Sequence, residues 1–286
     1  MSTTTLAEAV AAALGVSVST ASPVGGGCIS AAERVTLDDG RVVFAKSGAR
    51  LPEGLLAVEA EALAWLRAAD AVRVPEVLAC SDDTLVLEWI EPGGRTTSTD
   101  AVLGRGLAAL HAAGADAFGW HRDGFIGSLP QRNTPPVDAD WPSFWMSRRI
   151  EPLTRRAQQR HTVDDRVPAL VDRLGERIGD LAGPAEAPAR LHGDLWWGNV
   201  HVDRDGEPWL VDPAAYGGHR EVDLAMLHLF GEPSPALVDA YDEAFPLADG
   251  WRDRLPLWQL EPLLVHAVLF GGGYGASVRT VLERFA

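Results

Sequence analysis

Lysine is nearly missing from this chain: of 25 lysines and arginines, Lys46 is the single lysine. Cysteine is also scarce. Cys28 and Cys80 are the only two, which excludes a disulfide framework and a cysteine zinc quartet. No apolar run reaches the roughly 20 residues that cross a bilayer. The opening stretch MSTTTLAEAVAAALG lacks the basic segment of a secretory leader. It reads instead as a short threonine-capped helix with Leu6, Val10, Ala13 and Leu14 turned inward, so a cytoplasmic protein is expected. Basic charge is in deficit too. A formal net charge of −15 argues against nucleic acid, whose phosphates need a basic surface, and is compatible with a cationic or amine-bearing substrate.

What remains is a globular composition over 286 residues, enough for one large domain or two lobes. Residues 1–92 alternate short β-rich runs with one helical segment. DDG is a turn between ERVTL and RVVFAK. LPEGLLAVEAEALAWLRAAD reads as a helix with Pro52 in its first turn, and VPEVLAC and DTLVLEWI as two further strands. EPGGRTTSTD is a polar, glycine-containing joint. Residues 93–286 are mainly helical, apart from the strand-rich island LHGDLWWGNVHVDRDGEPWLVDPAAYGG. The expected fold is α+β: a small β-rich lobe at 1–92 and a larger helical lobe at 93–286.

In the small lobe, PVGGGC places Gly25, Gly26 and Gly27 between two strand-like runs. This is either a flexible turn or a nest of backbone N–H groups that can approach a phosphate. Lys46 ends the third strand. A compact ammonium fits between phosphate groups where a broad guanidinium does not, so a lysine kept among arginines points to such a site. On the next helix Glu59 has Leu55, Leu56, Ala62 and Leu63 at i−4, i−3, i+3 and i+4. An unpaired carboxylate in that stripe is costly, and Lys46 is its natural partner. Glu61 falls at the edge of the stripe as a rim carboxylate.

The island carries the strongest pattern. Asp194 and Asn199 lie five residues apart in a loop. VHV and WLV flank the turn DRDGEP, and an antiparallel hairpin would return Asp212 beside Asn199. Asp212 and Asn199 are hard oxygen ligands suited to Mg²⁺ on phosphates. Asp194 would accept the proton of an acceptor hydroxyl, the remaining demand of phosphoryl transfer.

HGDLWWGN, DPAAYGGHREVDLAM, FGWHRDGFIGSLPQRNT and LLVHAVLFGGGYG resemble the fructosamine kinase family of the protein-kinase-like superfamily, over nearly the whole chain. That resemblance implies a bilobal kinase-like fold and ATP with Mg²⁺ as cofactors. It places Gly25 to Gly27 over the phosphates, Lys46 paired with Glu59, Asp194 as base, and Asn199 and Asp212 on the metal. It also puts the backbone from Glu88 through Trp89 to Ile90 against the adenine, and Asp223 as a brace of the catalytic loop. The implied substrates are ketoamines, free or protein-bound, phosphorylated on the 3-hydroxyl to give a product that can release the amine. Leu56 and Trp197 depart from the family's usual phenylalanine and serine, and Trp197 could narrow the acceptor side.

Trp196 either stacks on the acceptor or packs in the core, and His266 either lines the same site or is a core histidine. His192 reads as a loop brace. The pair His219 and Arg220 would order the metal loop or meet the acceptor. The arginines of SRRIEPLTRRAQQR read as a solvated face. Cys28, in the glycine loop, is either a small packed residue or a thiol whose oxidation blocks ATP and links two molecules, so a monomer or a redox-linked dimer is open. The alternative readings are an aminoglycoside- or choline-type phosphotransferase and a non-catalytic nucleotide-binding or redox-sensing module. A two-metal phosphoesterase lacks the histidines it needs.

Overall fold

The computed structural model describes residues 5–25, 31–48, 51–134 and 140–286. Among these, no helix is long and apolar enough to cross a membrane. Helix α1 (Leu6–Leu14) starts at a Thr5–Glu8 capping box and buries Val10, while Ala13 is exposed rather than inward. A five-stranded antiparallel sheet follows, built from β1 (Val18–Pro23), β2 (Ala31–Leu37), β3 (Val42–Ser47), β4 (Val77–Cys80) and β5 (Thr84–Glu88). Its order is β1-β2-β3-β5-β4. Helix α2 (Leu55–Arg67) lies between β3 and β4 in sequence. It begins at a left-handed Gly54, not at Pro52, which sits in the preceding turn with its carbonyl accepting from Leu55 N (3.2 Å).

The period-two alternation of strands decides where Lys46 points. Val35, Leu37, Val43, Ala45 and Val86 pack with Val10 of α1 on one face. Phe44, Leu85 and Leu87 face the other way, against Leu56 and Leu63 of α2. Lys46, two residues after Phe44, shares that second face. It pairs in register with Ala32 and Leu85.

The larger part holds α3 (Thr97–Ala112), the hairpin β6 (Gly124–Ile126) and β7 (Leu129–Gln131), α4 (Trp141–Trp145), a wide helical turn at Met146–Ile150, α5 (Glu151–Gln159) and α6 (Val167–Leu181). The strands β8 (Ala189–Leu191), β9 (Val200–Val202), β10 (Pro208–Leu210) and β11 (Tyr216–Gly218) come next. Then follow α7 (Glu221–Leu229), α8 (Pro235–Ala244), α9 (Trp251–Trp258), α10 (Leu260–Phe270) and α11 (Tyr274–Phe285).

One apolar core ties the two parts together. Leu63, Leu66, Leu85 and Leu87 from the sheet side join Leu107, Leu195, Leu210 and Leu224 from the helical side. A second core lies wholly in the helical part, around Trp145, Trp258 and Leu264.

Candidate active site

Two short β-pairs frame the site. β8 pairs with β11, Leu191 opposite Tyr216, and β9 pairs with β10, Val200 opposite Leu210. The loop 192–199 leaves one pair and enters the other, and 211–215 makes the return journey. This brings Asp194, Asn199 and Asp212 together. Val211 N–H donates to Asn199 O (3.1 Å), and Asn199 Nδ2 reaches Asp194 O (2.8 Å), Asp194 Oδ2 (3.2 Å) and Asp212 O (3.4 Å).

Gly193, at φ 81°, has no room for a side chain: a Cβ would lie 2.1 Å from Ala214 O. Asp212 itself has φ 52°, a left-handed conformation that costs a non-glycine residue free energy and concentrates at functional sites.

Lys46 spans the cleft between the two parts. Its Nζ lies 2.5 Å from Glu59 Oε1 and 2.7 Å from Asp212 Oδ1. Lys46 and Glu59 are buried, whereas the Asp212 side chain is 53% exposed and so open to a ligand. Burial alone would lower the Lys46 pKa, but Glu59 and Asp212 outweigh it and hold the ammonium above the ordinary lysine range. Burial pushes the Glu59 carboxyl up to about 7, with Lys46 pulling against it. For Asp212 burial also works upward, yet Lys46 wins and keeps it below the ordinary aspartate value.

Asp194 differs. Its carboxylate has one side-chain donor among the described residues, Asn199, and no cation. Burial, then the Asp212 charge, push it up to about 7. Behind it, Asp223 accepts from His192 N (2.7 Å) and Gly193 N (2.9 Å) and contacts His111 Nε2 (3.3 Å). His111 Nδ1 meets Tyr241 OH at 2.8 Å. His192 Nε2 donates to Val211 O (2.9 Å) while Nδ1 accepts from Asp194 N (3.3 Å), so it braces the loop. Burial lowers its pKa and keeps it neutral.

Asp194 opens onto a pocket walled by Ile126, Val222, Met226 and Val265, with Glu261 and His266 as its other polar groups. Trp196 stands outside this pocket, edge-on to Phe230 at 6.2 Å. Trp197 does not line it. Its indole N–H donates to Gly231 O (2.9 Å), and the Arg95 guanidinium lies over its ring, 3.7 Å from the centre. His219 is packed against Trp141 and Trp258. Arg220 grips Glu186 through two 2.8 Å bonds, so this pair orders structure away from the pocket.

Glu88 accepts from Glu76 N (3.2 Å), and Trp89 lies 5.4 Å from the Arg34 guanidinium. The Glu88 N–H is also taken, donating to Glu76 O (2.9 Å), and Trp89 and Ile90 follow where the chain leaves β5. Glu61 is a rim carboxylate holding His121 (2.6 Å) and Arg122 (2.9 Å). Gly25 is exposed just beyond β1; Gly26, Gly27 and Cys28 lie outside the described residues.

A further expectation from the sequence is overturned. Arg149 is not on a solvated face but 1% exposed. It donates to Arg132 O (2.6 Å) and Asn133 Oδ1 (2.7 Å), sits 3.2 Å from Glu261, and stacks on Phe144 and Tyr216. His111 was legible in principle: it lies four residues after Leu107, on the buried stripe of α3.

A small antiparallel sheet over a helical body, with a lysine–glutamate pair facing an aspartate loop, is the protein-kinase-like architecture. The fructosamine kinase family model matches residues 2–286, and the chain belongs to that family. It is 37% identical over 268 residues to the "Probable ketoamine kinase" of Enterococcus faecium, covering 92% of this chain and 94% of that one. It is 34% identical over 272 residues to the chloroplastic protein-ribulosamine 3-kinase of Oryza sativa subsp. indica, covering 92% and 78%. A crystal structure of a fructosamine-3-kinase homologue from Thermobifida fusca YX-ER1 superposes with a TM-score of 0.92 at 41% identity, over 99% of this chain and 98% of that one.

Proposed function

We propose that the protein is an ATP- and Mg²⁺-dependent kinase that phosphorylates the 3-hydroxyl of ketoamines, ribulosamine or fructosamine adducts of amines. The observation that carries this reading is the Lys46 ammonium, shared between Glu59 of the sheet part and Asp212 of the hairpin, beside an Asp194 with no cation of its own.

Asn199 and Asp212 fit Mg²⁺. The Asn199 amide nitrogen is turned to Asp194, which leaves its carbonyl oxygen for a metal, and the Asp212 carboxylate is open to the cleft. Two protein oxygens, with phosphate and water completing the shell, are what Mg²⁺ on a nucleotide uses. Among the described residues no three His, Cys, Asp or Glu side chains form an all-protein cage. When bound, Mg²⁺ neutralises phosphate charge.

Glu59 holds Lys46 at the height where an ammonium meets phosphate oxygens, and Asp212 supplies the negative charge it meets in their absence. Asp194, fixed by Asn199 and by the backbone bonds to Asp223, accepts the proton of the acceptor hydroxyl. Its raised pKa makes it a better base than an ordinary aspartate.

The test is an acceptor screen with ATP and Mg²⁺: ribulosamine, fructosamine, an aminoglycoside and choline, with the phosphate position assigned by NMR. Phosphate on O3 of a ketoamine is the expected result. Turnover of the aminoglycoside or choline alone overturns the acceptor, and no turnover at all leaves a nucleotide-binding module.

A further inference from the structure

Three large apolar side chains are exposed among the described residues: Trp196 at 37%, Phe230 at 42% and Phe270 at 59%. They are not scattered. Trp196 meets Phe230 edge-on at 6.2 Å, Phe230 lies 5.1 Å from His266, and His266 lies 5.5 Å from Phe270 and 4.9 Å from Tyr274. His266 also lines the pocket onto which Asp194 opens. The exposed aromatics therefore form one rim, continuous with the reaction pocket. A contiguous exposed apolar patch of this kind marks a ligand surface.

The rim is built rather than incidental. Gly198 lies directly under the Trp196 ring, where a Cβ would fall 2.2 Å from the indole. The turn after Phe230 is pinned by the Trp197 indole N–H to Gly231 O, and Gly231, at φ 149°, occupies glycine's territory. Trp197 in turn lies under Arg95, which is paired with Asp100, and Asp100 accepts from Ser234 Oγ (2.5 Å). His266 Nδ1–H donates to Pro262 O (2.7 Å), which fixes the ring's orientation between Phe230 and Phe270. Burial lowers its pKa and keeps it uncharged.

Among the described residues no lysine or arginine lines the pocket, whereas Asp194 and Glu261 do, Glu261 being paired with Arg149 behind the wall (3.2 Å). A carrier group bearing a carboxylate close to the ketoamine nitrogen would find no cation in the lining and the unpaired carboxyl of Asp194.

The geometry points to a carrier subsite, formed by Trp196, Phe230, His266 and Phe270, that takes an uncharged aromatic group on the amine of the ketoamine and disfavours an anionic one. This rests on the ketoamine kinase reading, because it assigns the side of the acceptor that the sugar does not fill. Stacking on several aromatic faces is worth about 1 kcal/mol beyond area burial, or roughly a fivefold to tenfold preference.

The experiment compares ribulosyl adducts of methylamine, benzylamine and glycine as acceptors with ATP and Mg²⁺. The benzylamine adduct should exceed the methylamine adduct about tenfold in kcat/KM, through KM rather than kcat, and the glycine adduct should fall below both. Phe270→Ala and Phe230→Ala alter exposed residues, so the fold is retained, as an unchanged melting temperature will show. Each should lower kcat/KM for the benzylamine adduct several-fold more than for the methylamine adduct. Equal KM values for the two adducts, or variants that leave the gap intact, overturn the subsite while methylamine-adduct turnover upholds the kinase. Absence of turnover on all three overturns both.

Discussion

On the proposed nucleotide side of the cleft the three charged groups described, Lys46, Glu59 and Asp212, pair with one another. Lys46 lies between Glu59 and Asp212, one ammonium shared by two carboxylates. On the proposed acceptor side, among the described residues, Asp194 has no cation, its carboxyl pKa is raised, and three large aromatic side chains are exposed. The first half is settled before anything binds, and a ligand exchanges one set of charge partners for another. The second half carries groups that gain partners only when an acceptor arrives. The difference follows from the ligands. On the proposed reading the triphosphate is the same in every turnover, so its site can be pre-set, whereas a hydroxyl acceptor must find a base that is free to take its proton.

This contrast can be broken most severely at Lys46. Lys46→Met strands a buried Glu59 carboxylate, and removing one partner of a buried pair costs about 3–5 kcal/mol. Denaturant midpoints of parent and variant measure it, and an unchanged midpoint would show that the nucleotide side is not held by its charges.

Next comes Asp194→Asn, expected to lower turnover by about 10²-fold or more while leaving nucleotide binding near the parental level. The same variant should behave oppositely in stability. The Asp194 pKa is about 7 in the fold against an ordinary aspartate value of 3.8, so the folded state favours the protonated form. Below about pH 4 both states are protonated and nothing is lost. As pH rises toward 7 the unfolded chain releases its proton first and the fold loses stability. Asp194→Asn should therefore melt higher than the parent near pH 8, with the gap closing toward pH 4 in a series of thermal melts.

Asp223→Ala takes the acceptor from His192 N and Gly193 N, and each stranded buried N–H costs about 1–3 kcal/mol. Loss of stability with retained nucleotide affinity is the expected pair of results. Smallest is Glu61→Ala. Its ion pairs are 40% to 57% exposed on the side chains involved, so stability should move by no more than about 1 kcal/mol.

Much of the site was legible because local pattern and chemistry agreed there. Lys46 stood out by rarity, Glu59 by its place in an apolar stripe, and Asp212 by the hairpin that returns it to Asn199. The two-part α+β architecture followed from the change of periodicity near the polar joint. Arg149 was not legible. Its neighbours in sequence are charged, and what buries it comes from elsewhere: Arg132 O, Asn133, Glu261 and the rings of Phe144 and Tyr216. The start of α2 was misplaced because Pro52 suits a first turn, while the left-handed Gly54 sets the actual one. The aromatic rim was half legible. Trp196 and His266 carried a signal, and Phe270 lies four residues after His266 on α10, but Phe230 meets them only through packing at the end of α7.

The apolar core that joins the sheet to the helical body has a consequence for how the molecule comes apart. Leu85 and Leu87 of β5 share their contacts with Leu107 of α3 and Leu224 of α7, so neither part can lose that shared interior without exposing the other's. Heating should then give one calorimetric transition whose van't Hoff and measured enthalpies agree. A nucleotide bound between the parts should raise that single transition as a whole rather than split it in two.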